Sequence, residues 1–301
     1  RGERPLRVLF LTGYPAEGNL SAPVIRRMKA DPYFDVFVCD VRNMHSAQCG
    51  CYHDCNHDTS FKLGVLDCDI VISPCDRTEM VDPTYAAFLQ NKPIVRIYGG
   101  LRGSGTHDDV VRHMLDCMGH VNLVESEEAK QNLIKFGEES WRISVVGISH
   151  LDDIEPDYSL CPTEPYAVFL MNPVTISEQQ TRKDTASAAI ALTEWKMRKG
   201  SNSGIVFLPP NGDVHSDIII ERMRKYQLTG PSCFHEKRLE RNKFLGLLSK
   251  CDIFISNSSS TLYEFPTLNP NGEVYNPSWR NQERTKPPPL ERGGSDKIIQ
   301  A

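Results

Sequence analysis

The fold is decided by residues 93–118, PIVRIYGGLRGSGTHDDVVRHMLDCM, which combine a strand, a glycine-rich loop and a helix. The run IVRIY is apolar at almost every position, which is typical of a strand buried on both faces of a parallel sheet. The helix after the loop has apolar residues at helical spacing: Val110, Val111, Met114 and Leu115. A strand that leads through a loop into a helix predicts one unit of an α/β fold.

The same alternation extends in both directions from this stretch. Further strands are predicted at residues 6–11, 34–40, 68–73, 121–124, 143–146, 166–170, 204–208 and 252–256. Helices are predicted between them at residues 22–30, 83–90, 127–136, 179–198, 217–226 and 243–250. Strands and helices in this order predict parallel sheets with helices on both faces.

One segment interrupts the alternation and divides the chain. Residues 152–165 contain three prolines and several acidic residues, which predicts a linker between an N-terminal domain, 1–151, and a C-terminal domain, 166–301. Two Rossmann-like, doubly wound domains that face a cleft are the simplest architecture, and ligands then bind at the carboxyl ends of the strands. The segment TKPPPLERGG at residues 285–294 predicts a loose tail.

Composition limits the possible partners. The 301 residues contain 34 Lys and Arg against 39 Asp and Glu, and this net charge of -5 argues against nucleic acid or an anionic membrane as a partner. We find no apolar run near the ~20 residues that a membrane span requires, so no membrane association is expected. The ten cysteines have no regular spacing, which favours a reducing compartment and a cytoplasmic location.

Polar residues follow several predicted strands. Asp76 and Arg77 lie in the loop SPCDR that follows the run DIVIS, either as site residues or as an ordinary surface pair or helix cap. Asp108 and Asp109 open the helix that carries Arg112, and acids there commonly stabilise the helix dipole. Three further candidates follow strands of the second half: Asn172, Asn211 and Asp213.

The strongest local signal is SNSSST at residues 256–261, which follows the run DIFIS. Small hydroxyl residues that begin a helix after a strand offer backbone N–H groups to a diphosphate, and we favour this anion site over a simple N-cap. Ser258 and Ser259 are the candidate ligands, with Glu264 nearby and Arg280 and Arg284 as further sources of positive charge.

A cluster of five possible zinc ligands lies within nine residues: Cys49, Cys51, His53, Cys55 and His57. Thiolates and imidazoles suit zinc, but the spacing C-x-C-x-H-x-C-x-H matches no standard finger. We therefore favour a polar loop over a zinc site, and expect neither a metal nor another cofactor.

The order and spacing of these motifs resemble the hydrolysing UDP-N-acetylglucosamine 2-epimerases, with the sialic-acid-pathway branch the most similar. The resemblance covers residues 6–284 and is best from IVRIYGGLRGSGTHDDVVRHM through VVGISHLDDI, residues 94–154, and in KCDIFISNSSSTLYE. It implies a GT-B fold with a UDP-sugar in the cleft, conversion of UDP-N-acetylglucosamine to N-acetylmannosamine and UDP, and a homo-oligomer.

The resemblance also implies a role for each candidate. It assigns the acid–base chemistry to Asp76, Asp108 and Asp109. It assigns binding of the nucleotide-sugar to Arg77, Arg112, Asn211, Asp213, Ser258, Ser259, Glu264, Arg280 and Arg284, and we add Asn172, which follows a strand of the second half, to this group. Within this second group, the two serines match the diphosphate-binding serines of the family, and Glu264 matches the acid that holds the ribose hydroxyls.

Two departures bear on catalysis. The family has Glu where this chain has Tyr98, and His where it has Asn172. Loss of one general acid or base typically costs about 100- to 10,000-fold in rate. Two alternatives to the epimerase therefore stay open, namely a UDP-sugar-binding protein whose catalysis has lapsed and a glycosyltransferase of the same fold.

Overall fold

The computed structural model describes residues 4–13, 15–41, 68–102, 108–149, 152–163, 165–200, 202–227, 232–280 and 293–301. Contacts between these residues separate two compact units, with a division of the chain after Asp153. The domain boundaries that we predict from sequence lie close to this division and stay a prediction. No helix in the described ranges has the length and apolar composition needed to cross a membrane.

The first unit is a parallel sheet of six strands in the order β2-β1-β3-β4-β5-β6. Its elements, in chain order, are β1 (Leu6–Thr12), α1 (Pro15–Ala30), β2 (Phe34–Asp40), β3 (Ile70–Pro74), α2 (Val81–Leu89), β4 (Ile94–Ile97), α3 (Asp108–Met118), β5 (Val121–Val124), α4 (Glu127–Lys135) and β6 (Ile143–Val145). The second strand along the sheet, β1, is buried on both faces, and its residues 8–11 have no exposed surface. Helices therefore cover both sides of the sheet, as the alternation predicts.

The second unit is a parallel sheet of five strands in the order β11-β10-β7-β8-β9. Its elements are β7 (Tyr166–Leu170), α5 (Glu178–Lys199), β8 (Gly204–Phe207), α6 (Ser216–Gln227), β9 (Ser232–Phe234), α7 (Arg241–Lys250), β10 (Ile253–Ser256), α8 (Glu264–Leu268) and β11 (Glu273–Tyr275). Trp195 of α5 is fully buried and packs with Phe169 and Phe207 of the central strands. The doubly wound α/β class predicted from sequence is confirmed in both units.

The C-terminal residues differ from their prediction. Residues 294–300 form a helix, α9 (Gly294–Gln300), which packs against α1 in the first unit. The buried Asp152 holds the start of this helix, because its Oδ1 accepts the N–H of Gly293 at 2.6 Å and its Oδ2 accepts the N–H of Ser295 at 3.0 Å. The sequence analysis predicts a loose tail at residues 285–294, of which only Gly293 and Gly294 are described, and these two residues begin an ordered helix of the first unit.

Gly294 shows how closely α9 approaches the first unit. A Cβ atom at this position would lie 2.4 Å from the carbonyl carbon of Ile148, so only glycine fits. Ile298 adds an apolar contact and is buried among the residues of β1, β3 and β4. Burial and capping together explain why a polar, glycine-containing segment is ordered there.

Candidate functional site

The carboxyl end of β3 presents the first two candidates of the first unit. Pro74 ends the strand, Cys75 adopts a positive φ of 61°, and Asp76 and Arg77 follow. Non-glycine residues with positive φ are uncommon, and this reversal turns the chain at the edge where parallel sheets bind ligands. The Nε atom of Arg77 lies 3.7 Å from Oε2 of Glu79.

Arg112 of α3 joins two of the predicted catalytic acids. Its Nη2 contacts Oδ2 of Asp76, and its Nη1 donates to Oδ1 of Asp109 at 2.5 Å and to the carbonyl oxygen of Leu101 at 2.8 Å. The Arg112 side chain is only 5% exposed. Burial alone would lower the pKa of Arg112, but Asp76 and Asp109 outweigh it and raise this pKa above its ordinary value. The structure thus brings the carboxylates of Asp76 and Asp109 together around the permanent positive charge of Arg112.

The side chain of Asp108, the third predicted acid, lies outside the described residues. Its backbone begins α3, directly before Asp109. The catalytic role assigned to it by resemblance stays a prediction.

Tyr98, at the position where the family has Glu, is buried and follows β4 with a positive φ of 66°. Its hydroxyl contacts Oγ of Ser149 and accepts the N–H of Ser149 at 2.9 Å. Burial, as the largest cause, raises the pKa of the Tyr98 phenol well above its ordinary value of about 10. The phenol is therefore neutral at neutral pH and cannot act there as a general base.

Sequence reasoning missed three buried charges near these candidates: Arg96, Asp116 and Glu125. Arg96 is 0% exposed and interrupts the apolar run IVRIY, which is a signal that the sequence contains. Glu125 directly follows β5, at the same edge of the sheet as Asp76. Its negative charge contributes to the raised pKa of Tyr98.

In the second unit, Asn172 connects the ends of three neighbouring strands. Its backbone N–H donates to Oδ1 of Asn257 at 2.7 Å, and Nδ2 of Asn257 donates back to the carbonyl oxygen of Asn172 at 2.8 Å. Oδ1 of Asn172 accepts the N–H of Asn211 at 2.9 Å. Asn211 Nδ2 then donates to Asp213 Oδ2 at 2.5 Å. Three predicted ligands therefore form one network, and Asn257 joins it as a residue that sequence reasoning missed.

Ser258 caps a short turn at the end of β10. Its Oγ accepts the N–H of Ser260 at 3.3 Å, at the start of a single 3-10 turn over Ser259–Thr261. The N-cap, which our sequence analysis placed second, is thus present in the structure. A diphosphate-binding role for Ser258 and Ser259 stays a prediction.

Glu264 begins α8 and is 9% exposed. Nη1 of Arg241, at the start of α7, lies 3.3 Å from its Oε1, which compensates the charge of this largely buried carboxylate. Arg241 is a further neighbour that sequence reasoning missed, because it is separated from Glu264 by a strand and a loop. The backbone N–H of Arg280 donates to Oγ of Ser278 at 3.1 Å.

The remaining candidates lie outside the described residues. These are Arg284 and the cluster Cys49, Cys51, His53, Cys55 and His57. Within the described ranges, no group of three or more His, Cys, Asp or Glu side chains is arranged to hold a metal ion.

A sequence model of the family described as UDP-N-acetylglucosamine 2-epimerase matches residues 61–271, which is more than half of the chain. The chain belongs to this family. The resemblance inferred from the motifs is thereby confirmed at the level of the family.

Two relatives illustrate the similarity. A Legionella pneumophila protein named UDP-N,N'-diacetylbacillosamine 2-epimerase (hydrolyzing) is 27% identical over 308 residues, covering 88% of this chain and 79% of the relative. A Neisseria meningitidis UDP-N-acetylglucosamine 2-epimerase is 28% identical over 212 residues, covering 67% of this chain. In that comparison the match spans only 54% of the relative's length.

Solved structures support the fold class. The crystal structure of a Neisseria meningitidis UDP-GlcNAc 2-epimerase bound to UDP-GlcNAc has a TM-score of 0.71 at 17% identity, covering 89% of this chain and 82% of that one. A Methanocaldococcus jannaschii enzyme in complex with UDP-GlcNAc and UDP has a TM-score of 0.64 at 13% identity, covering 98% of each chain. The predicted class, two Rossmann-like units of the GT-B type, is confirmed.

Proposed function

We propose that this chain is a hydrolysing 2-epimerase of a UDP-sugar, with UDP-N-acetylglucosamine as its first candidate substrate. The observation that carries the proposal is the joining of Asp76 and Asp109 by the buried Arg112. Paired carboxylates around a fixed cation are suited to move a proton at a defined place.

The reaction balances in two steps. A base removes the proton from C2 of the sugar while the bond between C1 and the diphosphate oxygen breaks, with its electron pair leaving on UDP. Water then adds across the resulting double bond, with its hydroxyl to C1 and a proton to C2 from the opposite face, to give N-acetylmannosamine. We assign the proton transfers in the first unit to Asp76 and Asp109, with Asp108 as the further candidate.

The second unit supplies the proposed nucleotide site. Asn172, Asn211 and Asp213 are already ordered by mutual hydrogen bonds, so little side-chain freedom is lost when a ligand binds. Ser258, Ser259 and Arg280 are assigned to the diphosphate, whose charge grows as the C1–O bond breaks. Glu264, held by Arg241, is assigned to the ribose hydroxyls. Arg77 and Arg284 complete the proposed set.

The decisive experiment is product analysis after incubation with UDP-N-acetylglucosamine. We expect both UDP and N-acetylmannosamine in the wild type and loss of at least 100-fold in Asp76→Asn, as for a lost acid or base. Asp35→Asn, an exposed acid of β2, is the matched control and should retain activity. A parallel incubation with UDP-N,N'-diacetylbacillosamine tests the substrate named for the Legionella relative.

A second candidate is a UDP-sugar-binding protein without turnover. The observation that favours it is that the residues at both substituted positions are engaged elsewhere, Tyr98 with Ser149 and Asn172 with Asn211 and Asn257. Calorimetric binding of UDP together with absence of both products at high enzyme concentration would favour this candidate over the epimerase.

We also propose a homo-oligomer. Exposed apolar side chains occur on the two adjacent helices α2 and α3, which is typical of contact surfaces: Tyr85, Phe88, Leu89, Val110 and Met114. Light scattering coupled to size exclusion tests the proposal, and a mass of one chain at micromolar concentration would contradict it.

A further inference from the structure

We propose that Arg96 and Asp116 are positioning residues for the acid–base chemistry of the first unit. They form a buried ion pair that fixes the loop carrying Asp76 relative to the helix carrying Arg112. This inference rests on the proposed function, which does not itself assign a role to either residue.

Arg96 lies on β4, and its fully buried side chain makes hydrogen bonds to other residues of the protein. Its Nη2 donates to the carbonyl oxygen of Cys75 at 2.5 Å, and its Nη1 contacts the carbonyl oxygen of Ser73 and donates to Oγ of Ser73 at 3.1 Å. These carbonyls belong to the end of β3 and to Cys75, the residue directly before Asp76. One guanidinium therefore fixes the backbone from which the proposed acid emerges.

Asp116 lies on α3, and its carboxylate accepts from the guanidinium of Arg96. Its Oδ1 is 3.3 Å from both Nε and Nη2 of Arg96, and its Oδ2 accepts the N–H of Gly100 at 2.9 Å. The side chains of Arg96 and Asp116 are 0% and 2% exposed. A Cβ atom at Gly99 would lie 2.3 Å from Oδ1 of Asp116, so Gly99 allows the backbone to pass close to this carboxylate.

Asp116 and Arg112 are four residues apart on the same helix and so lie on the same face of α3. Arg112 holds Asp76 by its side chain, and Asp116 holds the backbone before Asp76 through Arg96. Two interactions thus connect the loop after β3 to α3, one through Arg112 and one through Arg96 and Asp116. A displacement of about 1 Å at a reacting group can cost about 100-fold in rate, so loss of either interaction should lower the rate of turnover.

Stability alone does not account for such a pair. Replacement of a buried ion pair by packed apolar residues often leaves stability unchanged or improves it. The pair instead provides directed hydrogen bonds to the loop before Asp76 and to the loop that begins at Gly99, which apolar packing cannot supply. These bonds fix the positions of Asp76 and of the Gly99–Gly100 backbone.

The test compares Arg96→Lys with Arg142→Lys. Lysine at position 96 keeps a positive charge beside Asp116 but lacks the planar fork that reaches both carbonyls. Arg142 is the matched control, because it donates to the carbonyl oxygen of Gly119 at 3.2 Å and to Oε2 of Glu138 at 2.6 Å, away from Asp76. We expect kcat for the UDP-sugar to fall about 10- to 100-fold in Arg96→Lys with KM changed less than about threefold. Arg142→Lys should retain the wild-type kcat.

Hydrogen exchange gives a readout that needs no turnover. The Gly100 amide should exchange at least tenfold faster in Arg96→Lys and in a second variant, Asp116→Asn, but not in Arg142→Lys. If Arg96→Lys fails to fold, Asp116→Asn carries both measurements. A wild-type kcat in the folded variant, or unchanged exchange at Gly100, would overturn the inference. If the wild-type protein shows no turnover, the proposed epimerase function is refuted. Amide exchange at Gly100 would still decide whether the Arg96–Asp116 pair holds the two loops.

Discussion

Asn172 and Asn257 bind each other reciprocally, since the backbone N–H of Asn172 donates to Oδ1 of Asn257 at 2.7 Å and Nδ2 of Asn257 donates to the carbonyl oxygen of Asn172 at 2.8 Å. The Asn257 side chain thus satisfies both backbone groups of a residue that follows the neighbouring strand, β7. This pair aligns the ends of β7 and β10, where the proposed nucleotide site lies.

Replacement Asn257→Ala should weaken both the second unit and its ligand site. We expect a loss of about 1–3 kcal/mol in the free energy of unfolding, because two backbone groups lose their partners. The affinity for UDP should fall about tenfold or more, as measured by calorimetry. Asn269→Ala is the control, because Asn269 also binds backbone carbonyls, those of Leu248 and Cys251, but at the other end of the strands. Equal loss of UDP affinity in both variants would contradict the prediction.

Replacement Arg112→Met should abolish most turnover while the protein still folds. Asp76 and Asp109 are partly exposed, so water can solvate their carboxylates when the guanidinium is gone. Their positions are then no longer fixed, and we expect a decrease of about 100- to 10,000-fold in kcat/KM. The exposed Arg182→Met should leave the rate unchanged. A rate within threefold of wild type in Arg112→Met would be incompatible with the proposed site.

Replacement Tyr98→Phe separates a structural phenol from a catalytic one. We expect a loss of about 1–3 kcal/mol in the free energy of unfolding, since the N–H of Ser149 loses its acceptor. The rate of product formation should remain within about threefold of wild type. A much larger decrease in rate would show that the phenol takes part in proton transfer.

Tyr98 also makes stability depend on alkaline pH. Burial raises the pKa of this phenol in the folded protein, so above about pH 10 the unfolded chain releases a proton that the folded protein keeps. Its contribution to stability is complete below about pH 10 and declines above it. The stability difference between wild type and Tyr98→Phe should therefore shrink by about 1.4 kcal/mol per pH unit from about pH 10 upward, as followed by urea titration. A constant difference would contradict this.

Replacement Asp152→Asn should loosen α9. The amide has only one acceptor oxygen for the N–H groups of Gly293 and Ser295, and we expect a loss of about 1–3 kcal/mol together with faster amide exchange in residues 295–300. Asp153→Asn is the adjacent control, because Asp153 makes exposed ion pairs with Arg26 and Arg27 and should contribute less than about 1 kcal/mol. Slow exchange of α9 in Asp152→Asn would show that the cap is dispensable.

Most of the fold was predictable because its strands carry strong local signals. Runs such as residues 93–98 and 252–256 are apolar and β-branched, and their interiors are buried as expected. β9 and β11 were missed because each combines a length of three residues with a weak apolar pattern, and all three residues of β11 are exposed. The equally short β6 was found because its sequence continues through the β-branched pair Val145 and Val146. The helix α9 was missed because its order depends on Asp152, more than 140 positions earlier in the chain.

Candidate residues that follow a strand could be predicted from the sequence. Contacts between residues of different helices and strands could not. Asp76, Asn172 and Asn211 lie in the loops that follow strands, so the doubly wound order already places them at an edge. The partnership of Arg241 with Glu264, or of Asp152 with Ser295, depends on tertiary packing that no local pattern contains. Arg96 is intermediate, because its charge within an apolar run was visible but its partner was not.

The placement of α9 has a consequence for synthesis on the ribosome. The first unit receives α9 only after the second unit has been made, about 140 residues later. At about 5–20 residues per second this corresponds to an interval of about 7–28 s. During that interval the side of α1 that packs against α9 is exposed, and the Asp152 carboxylate has not yet accepted the N–H groups of Gly293 and Ser295. Chaperones therefore have a defined period in which to engage the nascent unit.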